Sequence, residues 1–535
     1  MPELSQKTQK LIQKYQFWYQ SLQPKEGIAT IHVDEVASKV AAFYEKIRGI
    51  LDWQEEHLLR KTAIERILKR RLFLGQNGEE FAVNFVYELI RGGHFPNDRI
   101  PEQKIDIIQR LINKYVFILN NSQPPAEKLK VHLYDWLLSI AACEVEEILD
   151  PPRRERALIE YMEESMQEKI SIPSKISEDE KNAQISIAVQ KALFKLDKAV
   201  ISYHLLKKLY PDWLEYDNPS TIPLENTPLK EIAVNIYSIW ESIEKDLKHP
   251  LIEKFYRICE TYDTPYLILG DILATDPLGA SEKFKNPELL ESLIREIYAK
   301  KLKLLKSKAR RMATYSTVSI FATKMLLAIA IEVPLEKYFT QQFSYQALGL
   351  NILIPPLLML FLVLTIRPPG KSNVEKVLME AIKIAYRSDK KDIYEIRSPR
   401  KRGFLLNLIV TLFYLITFLI SFGIIWWGLE KLNFWILSKI IFLIFFSLIC
   451  YAGVKVRERS KELLIEEESG GFLLFLLDSF AMPFIVVGKW FSLQWTKYNI
   501  ILILMIALIE MPFQVFVEFI EHWRTFIKEE KEKIH

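Results

Sequence analysis

The chain has 535 residues, half of them hydrophobic and 26% charged, with a net charge of +4. That length exceeds one compact domain, and so small a net charge argues against a general affinity for nucleic acid. Three widely spaced cysteines, Cys143, Cys259 and Cys450, argue against a disulfide framework or a zinc site, and 17 glycines in a chain rich in Leu, Ile, Lys and Glu favour helix.

The N-terminus lacks the apolar core of a cleaved secretory signal, so the first part of the chain is expected to stay where it is made. Residues 1–298 read as a cytoplasmic α-helical domain. The longest element is predicted at 34–74, where Val36, Val40, Phe43, Ile47 and Ile50 form one stripe behind an Asp34 cap and "GQNG" ends the helix. Further helices are predicted at 79–92, 101–120, 125–149, 153–170, 178–209, 228–248, 250–260 and 287–311, with 211–227 as an internal linker. Alternating β-branched runs bounded by hairpin turns are missing.

A basic juxtamembrane helix follows at 299–312. Its cations, Lys300, Lys301, Lys303, Lys306, Lys308, Arg310 and Arg311, are candidate contacts for anionic lipid headgroups. Three apolar hairpins come next, each arm near the length of a bilayer crossing: 313–366, 404–454 and 472–518, the last transmembrane or re-entrant. Between them lie a basic loop at 367–403, carrying an amphipathic helix near 373–386, and a second loop at 455–471. A charged tail occupies 519–535. The amphipathic helix has two equal readings, on the inner leaflet or against the soluble domain. Seven, eleven, four and four Lys or Arg occupy alternate flanks of the six stretches, against one, one and two in the intervening connections. This asymmetry predicts that both termini face the cytoplasm, in a membrane of the bacterial cytoplasmic type.

Charged residues inside apolar stretches are costly and face protein or water. Lys324, Asp478 and Glu510 form a candidate intramembrane polar cluster, with Lys324 the counter-charge if those helices pack together. The pattern Ile-Glu-x-Pro occurs at 331–334 and 509–512. Proline frees the carbonyl four residues back, so Glu332, Pro334, Pro483 and Pro512 are candidate helix-break sites. Glu332 is expected at a helix end among the headgroups, and Glu510 deep within its span.

Catalytic patterns are missing. "PPGKS" at 368–372 lacks the first glycine of a phosphate loop, and no metalloprotease, hydrolase-elbow, kinase or dinucleotide signature occurs. These gaps weigh against an enzyme without excluding one, and no cofactor or metal is expected. The fold expected is all-α: an N-terminal cytoplasmic helical domain followed by a multi-pass bundle of about six transmembrane helices. The expected role is a membrane-anchored interaction or scaffolding protein with a cytoplasmic protein partner, the alternative being an ion- or proton-coupled transporter or channel. A homo-oligomer is compatible with either.

Overall fold

The computed structural model describes residues 3–23, 27, 29–33, 56–73, 81–123, 126–172, 176–211, 213, 228–340, 345–365, 369–386, 393–396, 403–460, 463–465, 472–497, 519, 523 and 526–527. The stripe at 36–50, the Asp34 cap, the GQNG stop, nearly all of the 211–227 linker, the sixth apolar stretch and most of the tail lie outside them.

The described residues are all-α. The N-terminal part comprises α1 (Gln6–Ser21), α2 (Glu56–Phe73), α3 (Phe81–Arg91), α4 (Gln103–Asn121), α5 (Glu127–Leu149), α6 (Arg153–Lys169), α7 (Glu178–Phe194), α8 (Lys198–Leu209), α9 (Pro228–Leu247), α10 (Ile252–Thr261), α11 (Asp263–Thr275) and α12 (Ala280–Lys285). Side-chain caps start several of them. Ser177 accepts from the Glu180 amide at 3.2 Å and Asp197 from Val200 at 2.9 Å. Asn286 accepts from Glu288 and Leu289, and with Pro287 at the first position it starts α13 (Pro287–Leu327). At 41 residues, α13 is about 60 Å long and joins the N-terminal part to the apolar bundle.

A π turn, Ala328–Glu332, and α14 (Val333–Thr340) continue α13. Then come α15 (Tyr345–Thr365), α16 (Lys371–Ala385), α17 (Phe404–Lys431), α18 (Ile436–Ser460) and α19 (Phe472–Lys497). Among the described residues three helical stretches are long and apolar enough to cross a membrane: Thr314–Phe339, Phe404–Lys431 and Ile436–Glu458. That is fewer than the six expected. α15 and α19 pack against them without meeting the same measure, and the sixth stretch is not described.

The N-terminal part has two apolar cores. Core 1 gathers α2 to α5, α8 and α9, around residues such as Phe85, Ile108, Leu137 and Ile236. It encloses a polar knot. Lys114 Nζ donates to Glu144 Oε1 at 2.6 Å, and Tyr115 and Trp213 donate to Oε2 at 2.6 and 3.2 Å. A buried ion pair is tolerable when its remaining hydrogen-bonding capacity is met in this way.

Core 2 gathers α1, α6, α7 and α10 to α13, and it also takes in parts of the chain far along the sequence. α16 inserts Val377, Leu378, Ala381, Ile384 and Ala385; Tyr386, Ile396, Leu463 and Ile465 complete the core. The amphipathic helix between the hairpins is therefore docked on the N-terminal part, not spread on a leaflet. Its apolar stripe finds a protein surface, and its polar edge finds ion pairs. Arg295 grips Glu375 with two bonds of 2.7 and 2.9 Å.

Main-chain pairing reinforces the docking. The Ser5 amide donates to Ala385 O at 3.1 Å, and strand β1 (Ile170–Ser171) pairs in parallel with β2 (Tyr394–Glu395). At the centre sits buried Asn373. Its amide nitrogen donates to Tyr298 Oη at 2.9 Å and Leu463 O at 2.6 Å, and its Oδ1 accepts from the Ile465 amide at 3.1 Å. One side chain thus ties α13, α16 and the segment after α18.

Glu146 on α5 predicts a pH effect. Burial pushes its carboxyl up to about 7, against the opposing pull of Arg60 and Lys61; Asp150 and Asp197 push the same way as burial. A carboxyl raised in the folded state contributes stability below its ordinary range, and that contribution is lost as pH climbs through about 7. Glu146→Gln should therefore be more stable than wild type above pH about 8, the gap closing below about 5. His204, pushed down to about 4 chiefly by burial, acts in the opposite sense over an overlapping window. Melting curves of wild type and variant across pH isolate the Glu146 contribution by difference. Parallel curves would refute it.

Candidate functional site in the apolar bundle

Contacts fix the helix directions. Asn351 on α15 and Ser438 on α18 both reach Glu332, and further along Leu362 packs on Gly453, so α15 and α18 run parallel. α19 runs antiparallel to α18: Arg457 lies near Asp478, and Gly488 lies on the carbonyl of Ser447. A Cβ at Gly488 would sit 2.0 Å from that oxygen, so the two backbones touch only because the residue is glycine.

Pro334 cannot donate an amide to Ala330, and the helix responds by widening. Val333 N bonds Ala328 O, five residues back, and the helix continues through the π turn to Thr340. Glu332 is thus not at a helix end, as the sequence reading places it. Eight residues of plain α-helix would leave position 332 about 80° away from the azimuth of 324. One extra residue in a turn removes most of that offset.

As a result Lys324 and Glu332 face one another, both fully buried, with Nζ 2.5 Å from Oε1. Asn351 Nδ2 donates to Glu332 Oε2 at 2.5 Å and Ser438 Oγ to the same oxygen at 3.2 Å. The ammonium also lies 5.4 Å from the centre of the Phe445 ring. Three helices therefore converge on one carboxylate that accepts from three donors. Asn351 Oδ1 is buried and meets no donor among the described residues. An acceptor left without a donor beside a buried charge pair is the unsatisfied polar atom of the site among the described residues.

Of the residues singled out in sequence, Lys324 and Glu332 meet each other. Asp478 does not join them. It lies exposed, 3.5 Å from Arg457, and along α18 Arg457 stands about 18 Å from Phe445, which covers Lys324. Pro483 is buried inside a continuous α19, as Pro355 and Pro356 are inside α15. Glu510 and Pro512 lie outside the described residues. Asn351 and Ser438 do not stand out in the sequence, because a neutral amide and a hydroxyl are unremarkable within apolar runs. The usable signal was the proline two residues after Glu332.

The juxtamembrane cations separate into two groups. Lys300 pairs with Glu296 and Lys301 with Asp271, each at 2.7 Å. Lys303, Lys306, Lys308, Arg310 and Arg311 are exposed, and among the described residues none of them has an acidic partner. Four of these five line a groove of about 680 Å³ along α13.

These features define an all-α membrane protein. Compared with protein-family models, with curated proteins and with solved structures, the chain matches none.

Proposed function

We propose that the protein is a membrane-anchored interaction platform of about six spans, with both termini on the cytoplasmic side, in a membrane of the bacterial cytoplasmic type. The observation that carries this reading is core 2. Residues before the first hairpin, between the hairpins and after the second all pack into it, so each hairpin returns the chain to the side it left. The N-terminal part is fastened to the loops of the bundle by buried contacts rather than hung on a free linker. Core 1 is then held in a set orientation to the bilayer, as a docking surface for a cytoplasmic protein requires.

A second reading, an ion- or proton-coupled transporter or channel, is favoured by the buried site around Glu332 and its orphaned acceptor. One pair of measurements separates the two. Photo-crosslinkers at exposed valines on the outer faces of the helices that enclose core 1, Val83, Val131 and Val234, are expected to capture one common protein partner in cells. Wild-type protein in vesicles should pass no ions or protons. Crosslinks without a common partner, together with flux abolished by Glu332→Gln, would replace the platform by the transporter.

A further inference from the structure

We infer that the groove on α13 is a binding site for the headgroup of an anionic phospholipid. Sequence alone offers seven equivalent cations. The structure withdraws Lys300 and Lys301 into ion pairs and leaves Lys303, Lys306, Arg310 and Arg311 lining a single groove. The spacing 303, 306, 310 places them on one face over about 10 Å of axis. Ala299, Leu302, Ser307, Thr314 and Tyr315 also line it.

The groove begins in the N-terminal part and ends at Tyr315, one residue inside the membrane-crossing stretch that starts at Thr314. From there the same face continues as Val318, Phe321 and Met325, all exposed and apolar. A site with cations above and an unbroken apolar stripe below matches a molecule with a phosphate head and acyl chains. A soluble anion would use only its upper half. The docking of α16 into core 2 strengthens the assignment, because it removes the other basic amphipathic helix from competition for the leaflet. The inference stands apart from whatever partner core 1 takes.

The test uses the full chain in a neutral detergent. It is titrated with phosphatidylglycerol, with phosphatidylcholine and with inorganic phosphate, and native mass spectrometry counts the retained molecules. Wild type should retain phosphatidylglycerol and not phosphatidylcholine. Each neutralised groove cation should weaken retention about five-fold, whereas Lys300→Gln with Lys301→Gln should leave it unchanged. Because removing charge can also disturb insertion, Ser307→Trp provides a second variant that fills the groove and keeps every cation; it too should lose the lipid. Equal retention by Ser307→Trp, or displacement of the lipid by inorganic phosphate, would overturn the proposal.

Discussion

Replacing Lys324 by methionine should destabilise the solubilised protein by about 3–5 kcal/mol, because Glu332 is left as an uncompensated charge among apolar helices. The two groups have no solvent exposure to fall back on. Asn351 and Ser438 would remain as donors, but neither brings a positive charge. The double variant Lys324→Met, Glu332→Met should regain most of the loss, since the desolvation cost of both charges disappears with them. Thermal unfolding of the three variants in one detergent measures this. Additive losses in the double variant would show that the residues do not act as a pair. The double variant also serves function: a stable bundle that has lost an activity would assign that activity to the pair rather than to folding.

A fragment ending at residue 298 should keep core 1 and lose core 2. It lacks Val377, Leu378, Ile384, Tyr386, Ile396, Leu463 and Ile465, all buried in core 2. At about 1.5–3 kcal/mol for each large apolar side chain, the missing burial is on the order of 10 kcal/mol, as much as an ordinary domain's whole stability. Hydrogen exchange on the fragment should therefore find α6 and α11 unprotected and α4 and α5 protected. Full protection of α6 and α11 would refute the shared core. For partner searches the consequence is practical: the fragment suffices as bait for a partner of core 1, and a partner that touches core 2 needs the intact chain.

Helix is legible over most of the described residues, because periodic apolar positions and the scarcity of glycine leave the backbone few alternatives; α1, α11 and α12 go unpredicted, and the single helix expected at 178–209 divides at Lys195, which is left-handed ahead of the Asp197 cap. The apolar stretches were legible by length. What stayed hidden was every pairing across large separations. Asn373 reads as a helix-start residue in a basic loop; nothing near it in the chain announces Tyr298, Leu463 and Ile465. The even choice between leaflet and protein for α16 could not be settled from amphipathicity, since a lipid surface and a protein core reward the same stripe. Glu332 reads as a helix-end residue, because proline ordinarily stops an α-helix. The bundle here absorbs the proline by a π turn, and whether a proline ends or widens a helix depends on tertiary packing.

The spread of core 2 from Leu11 to Ile465 also dictates an order of biosynthesis. At roughly 5–20 residues per second, the ribosome needs on the order of 20–90 s between these two points. Between the synthesis of α11 and that of Ile465 the side of α11 that α16 covers has no lid, and the nascent chain is a client for a chaperone. Closure waits until the second hairpin has delivered Leu463 and Ile465. A protease surveying new chains would thus find the helices of core 2 open to cleavage until insertion is nearly complete, with core 1 already closed.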